Sequence, residues 1–137
     1  MHIKLLIQNN YTMKHLFTLL ALTFLAGSAF AQEARYDDFK TGTFTYESQE
    51  GEVEIIRTKT KQIEIYNDGK SKLITNIKWE NDSTYVLTHK KAINAEGCLD
   101  KGDWIRTKII SRDGNRYEAD FVSNKCGRGT AIFIKLK

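Results

Sequence analysis

Between positions 53 and 87, apolar and polar residues alternate in short runs broken by turn-forming residues. Val53 and Ile55, Ile63 and Ile65, Leu73 with Ile77 and Trp79, and Tyr85 and Leu87 fall on alternate positions, with Glu54, Glu64, Asn76 and Lys78 between them. A period of two predicts strands with one face on a core and the other in water. The joints are Thr58-Lys59-Thr60, Asn67-Asp68-Gly69 and Asn81-Asp82. A parallel return needs about a dozen residues, so joints this short predict sequential antiparallel pairing. Asn67-Asp68-Gly69 is the strongest of these turn signals, because Asp-Gly readily supplies positive φ.

The same pattern extends to both sides of this block. Positions 32–38 are polar and read as a loose arm, and 39–46 read as a first strand with Phe44 and Tyr46 on one face. Gly42 is expected at a bend or at the close approach of another strand. Ile55-Ile56 breaks the alternation, so one of the two is expected to face outward or to sit at a bulge. At 89–103 the pattern stops, which predicts one long connection holding Cys98. Strands resume at 104–111, at 117–121 and at 131–136, where Ile132, Ile134 and Leu136 share a face. The expectation is an all-β domain of about eight antiparallel strands in an up-and-down meander, forming a small barrel or a strongly curled sheet.

Composition places this domain. Met13-Lys14-His15, the apolar run LFTLLALTFLAG and Ser28-Ala29-Phe30-Ala31 form the three parts of a signal peptide. The reading is a signal peptide over 1–31 with Met13 as the true start, and a single domain over 32–137. The apolar run falls short of the roughly 20 residues of a membrane span. LAGS resembles the end of a lipoprotein signal, but position 28 is Ser, so no thiol is there to carry a lipid. An exported product, periplasmic or extracellular, without a stable membrane anchor is expected. In an oxidising compartment Cys98 and Cys126 are expected to pair, tying the long connection to the last turn.

Removing Lys4 and Lys14 with the leader leaves 19 basic and 17 acidic residues (21 − 2 against 17), an interleaved surface. Lysines such as Lys59, Lys61, Lys90 and Lys91 alternate with Glu50, Glu54, Glu80 and Asp113, which argues against nucleic acid as a partner. The polar face of most strands argues against an outer-membrane barrel. A hydrolase needs a nucleophile with a base and an orienting acid. Ser48, Ser71, Ser83, Ser111 and Ser123 sit at turns or strand ends, and His89, beside Lys90 and Lys91, reads as an exposed loop histidine. Two thiols and one imidazole at these spacings do not make a zinc site. Gly127-Arg128-Gly129 reads as a turn rather than a phosphate cradle. No catalytic residue, metal or cofactor is expected.

What remains is an interior. Phe44, Tyr46, Trp79, Tyr85, Trp104 and Tyr117 are the candidate lining for a small apolar ligand, and Ile63, Ile65, Leu73, Ile77, Leu87, Phe121 and Phe133 are expected to face inward with them. Eight closed strands can be filled by side chains or can hold one small ligand. Arg57 and Arg106 are candidates for charges at the mouth. The alternative is a protein-interaction module using the Cys98 loop and the Cys126 turn.

With FKTGTFTY, IIRTKTKQIEI and IKWENDSTYVLTHKK, the chain resembles a family of small exported bacterial proteins of unknown function. Some members of that family carry a DNA topoisomerase label. The 106 residues left after position 31 (137 − 31) have no room for an ATPase and strand-cleavage machinery. In shape the chain is similar to lipocalin-like barrels, with Gly42-Thr43-Phe44 in place of their G-x-W signature. The resemblance assigns no functional residue.

Overall fold

The structure is a computed structural model and describes residues 36–137, so the expected leader and its cleavage site lie outside the described residues. Eight antiparallel strands close into one barrel in sequence order: β1 (Gly42–Ser48), β2 (Gly51–Arg57), β3 (Lys61–Tyr66), β4 (Ser71–Trp79), β5 (Thr84–Ile93), β6 (Trp104–Asp113), β7 (Arg116–Ser123) and β8 (Arg128–Lys135). This is the expected fold class, with the barrel closed. Asn67, Asp68 and Gly69 all take positive φ in the β3–β4 turn.

Closure depends on the β1–β8 seam, where Phe44 faces Lys135 and Thr45 faces Ile134. Gly42, at φ +132°, admits the last residues of the chain: a Cβ there would stand 2.2 Å from the Lys137 carbonyl oxygen. Beyond the paired residues the seam continues as Thr43 N–H donating to Lys137 O at 2.9 Å and Leu136 N–H donating to Thr43 O at 2.7 Å.

The turns 58–60, 80–83 and 114–115 lie at one end, the base. The turns 49–50, 67–70 and 124–127 and the loop 94–103 lie at the other, the mouth. Of the expected loose arm, the described residues 36–38 fold across the base. Tyr36 and Phe39, which flank the start and end of the 3-10 turn Asp37–Phe39, are buried, and Arg112 holds Asp38 through two hydrogen bonds of 2.8 Å. Phe39 therefore belongs to this plug and not to the first strand. Its ring packs at a tilt against Tyr117 at 4.8 Å between centroids, and the Arg112 guanidinium lies over the Phe39 ring at 4.2 Å.

One further strand assignment shifts. β5 runs on to Ile93, so His89 is a strand residue, 7% exposed, and not an exposed loop histidine. Its extra length is absorbed by a register shift at Ile74/Thr75 on β4. Ile55-Ile56 needs no bulge: pairing with β1 is unbroken, Ile55 is fully buried and Ile56 faces out.

The larger correction is the phase of β3. Directly opposed residues share a face, and Ile55 pairs with Glu64 while Arg57 pairs with Gln62. Burying Ile55 and Arg57 therefore brings Glu64 and Gln62 inside and turns Ile63 and Ile65 outward. Outside, Ile63 lies between Ile56 and Ile74 on the neighbouring strands, so the three shield one another. On β8 the shared face of Ile132, Ile134 and Leu136 is the outer one, and Ala131 and Phe133 point in.

Candidate functional site: the barrel interior

One row of side chains crosses four strands inside the barrel: Arg57, Gln62, Thr75 and His89. Arg57 is 2% exposed and sits above the plug. Its Nε donates to Gln62 Oε1 at 2.8 Å, its Nη1 to the Phe39 carbonyl at 2.9 Å, and its Nη2 to the Tyr117 and Tyr85 hydroxyls at 3.0 and 3.2 Å. The guanidinium also lies 4.5 Å from the Phe44 ring centroid and 4.7 Å from that of Tyr85. None of these partners is a carboxylate. Burial pulls its pKa down, the tyrosine oxygens more than offset this, and the group stays charged.

Toward the mouth a cavity of about 240 Å³ opens above this row. On liquid water's share of roughly 30 Å³ per molecule, that is space for about eight waters or one small molecule. Leu73, Leu87, Ile105, Phe121 and Phe133 form its apolar wall. Tyr46, Gln62, Glu64, Thr75, His89 and Thr107 form its polar side. Leu99, next to Cys98 on the β5–β6 loop, lines it from the mouth.

The electrostatics of the polar side follow from burial. Glu64 is half-buried and lines the cavity. Desolvation raises the Glu64 pKa, and the Tyr46 hydroxyl hydrogen-bonded to it and the Arg57 charge pull the other way without cancelling the rise. Tyr46 is raised as well, first by desolvation and then by the neighbouring carboxyl. Tyr117, deeper, is pushed well above a tyrosine's ordinary value by burial. His89 Nδ1 is sealed without a hydrogen-bond partner. A proton on that atom would be a buried donor with no acceptor, so the neutral ring carries it on Nε2.

The mouth is braced covalently. Cys98 and Cys126 form the expected disulfide, with Cα atoms 5.6 Å apart. Beside it Asn124 Nδ2 donates to Asp103 Oδ1 at 2.9 Å, and Lys125 pairs with Asp100 and, at 3.6 Å, with Asp103. Ser123 and Ser71 are structural here. Ser123 Oγ accepts from the Lys125 and Cys126 N–H groups at 3.1 Å, and Ser71 Oγ donates to Asn94 O at 2.6 Å.

Of the six residues expected to line the interior, Tyr46 and Tyr85 border the cavity. Phe44 and Tyr117 are wholly buried in the packed base below it. Trp79 lies half-buried against Tyr85, 4.7 Å between centroids, with its Nε1 unpartnered. Trp104 is on the outer wall: it pairs with outward-facing Thr88, and Arg106 stacks over it at 5.8 Å. Arg106 is outside too, paired with Glu80 at 2.8 Å, whereas Arg57 is deep inside rather than at the mouth. Glu64 and Gln62 were missed because polar side chains beside Ile63 and Ile65 read as a solvent face, and His89 because, next to Lys90 and Lys91, it reads as part of an exposed loop.

Comparison of the chain with protein-family models, with curated proteins and with solved structures finds no match.

Proposed function

We propose that this protein is an exported, non-enzymatic barrel that holds a small, largely apolar molecule with a polar end in the cavity between Phe133 and Glu64. The observation that carries the reading is the cavity itself. A closed barrel of this size can be filled by its side chains or can hold one small ligand. Here a small space is kept beside the Glu64 carboxyl and the His89 imidazole. The polar wall gives the expected small apolar ligand a polar end. Binding rather than turnover is favoured because His89 has no orienting acid at Nδ1, so a nucleophile–base–acid relay does not pass through it.

Export is favoured by the leader and by the disulfide, which persists in oxidising compartments. Among the described residues no helix is long and apolar enough to cross a membrane. The test is native mass spectrometry of protein purified from its host, with its N-terminus sequenced. A co-purifying small molecule, lost in Leu87→Trp while the circular dichroism is kept, and an N-terminus at Gln32 are expected. A stoichiometric second chain and no small molecule would replace this reading with the alternative, a protein-interaction module built on the Cys98 loop and the Cys126 turn.

A further inference from the structure

Resting on that reading, we infer that the cavity's ligand is a small organic monoanion, a carboxylate on an apolar body. The argument is an inventory of what the walls leave unused. Arg57 brings a full positive charge into the barrel and meets only neutral partners. It also fixes Gln62: Nε occupies the amide oxygen, so Gln62, itself 1% exposed, has its amide nitrogen left for the cavity it lines. His89, sealed at Nδ1, has an Nε2 donor left. Glu64 accepts from Tyr46, and in its neutral form it has a hydroxyl to give. The Thr107 hydroxyl adds a fourth polar group on the same wall. A carboxylate accepts at both oxygens and donates at neither, so it answers these donors. Its charge supplies the counter-ion that Arg57 lacks among its contacts. The apolar wall of Leu73, Leu87, Ile105 and Phe133 takes the remainder of the molecule.

An ammonium ligand would need Glu64 ionised and would bring a second cation toward Arg57. The groups facing Glu64 that titrate or carry charge are Tyr46 from β1, Arg57 from β2, Tyr66 at the end of its own strand, and Tyr85 and His89 from β5. The cavity-lining residues of β4, β6, β7 and β8 are Leu73, Thr75, Ile105, Thr107, Phe121, Ala131 and Phe133, all neutral. The anion and the ionised Glu64 compete for the same positive potential, so binding the anion holds the proton on Glu64.

The experiment is calorimetric titration of the disulfide-intact protein with benzoate, benzyl alcohol and benzylamine, and with hexanoate, hexanol and hexylamine, across about pH 5.5–8, where both carboxylates stay ionised. The carboxylate of each set is expected to bind at least tenfold more tightly than the alcohol at acid pH, with the amine weakest. The advantage should shrink as pH rises. In Glu64→Gln the preference should remain while its Glu64-linked pH dependence disappears. In Arg57→Gln, provided its circular dichroism is native, the preference for the anion should vanish. If Arg57→Gln does not fold, the Glu64→Gln pH profile decides alone. Amines binding best, or equal affinity within each set, would overturn the charge assignment and leave the cavity reading standing. No binding by any of the six would overturn the cavity reading, and the charge assignment with it.

Discussion

Arg57 is a cation buried without a carboxylate, and its fork geometry is what makes that tolerable. Four N–H donations reach Gln62, Phe39, Tyr85 and Tyr117 from one planar group. Lysine keeps the charge but cannot span these acceptors. Arg57→Lys is therefore expected to lose roughly 2–4 kcal/mol in urea denaturation, from buried partners left unpaired. The partners, not the charge, carry that loss. Adding Tyr85→Phe and Tyr117→Phe to Arg57→Met should recover part of the deficit of Arg57→Met alone, a non-additivity that a mutant cycle reads directly. Glu64 has the opposite character. Its folded pKa is raised above the ordinary 4.5, chiefly by desolvation, so the folded state prefers the neutral acid. The stability associated with that preference is complete below about pH 4.5 and is lost as pH rises through the folded value. Glu64→Gln keeps an acceptor for Tyr46 and removes the ionisation. Its melting temperature should match the parent's near pH 4 and exceed it at pH 7. Equal melting curves at both pH values would mean that Glu64 is not desolvated as its position implies.

At the scale of elements, the mouth is set by two connections that a disulfide ties together. Cys98 and Cys126 are 28 residues apart, and closing a loop of that length contributes about 3–4 kcal/mol in the chain-entropy picture. The double substitution Cys98→Ser, Cys126→Ser should lower stability by about that much, and reductant should reproduce the shift in the parent protein. A drop well below 1 kcal/mol would place the tie elsewhere, in the Lys125–Asp100 and Asn124–Asp103 contacts. Strand number, strand order and the pairing of the two thiols were legible because they depend on local signals: turn chemistry, alternation and compartment. The inside-out phase of β3 was not. Ile63 and Ile65 outnumber Glu64 in hydrophobicity, but β2 has Ile55 and Arg57 inside, and pairing dictates that Glu64 and Gln62 follow. A strand cannot choose its face independently of the neighbour to which it is bonded.

For the whole molecule the decisive contact is long-range. The plug at positions 36–39 packs under strands from both halves of the chain, with Phe39 fully buried against Tyr117 and its carbonyl accepting from Arg57. Phe39→Ala is expected to destabilise the barrel by roughly 3–5 kcal/mol in equilibrium denaturation, the range for truncating a buried aromatic ring. It should also speed amide exchange at the base more than at the disulfide-braced mouth. Uniform exchange along the barrel axis would contradict a base held by the plug. The same plug divides the interior: below the Arg57 row the barrel is packed solid with aromatic rings, and above it the cavity remains.

Alternation and turn residues by themselves determined that this chain forms eight antiparallel strands in sequence order, because both are properties of neighbouring residues and of the two-residue repeat of an extended backbone. They also put Cys98 and Cys126 in connections where they can meet. Only the tertiary structure decided which side of each strand is the inside, and with it that Arg57, Gln62, Glu64 and His89 share one interior and that Trp104 lies outside it. That choice is made by registers passed from strand to strand and by the β1–β8 seam, where residues about ninety positions apart must meet. Such a constraint has no trace in any short window of sequence.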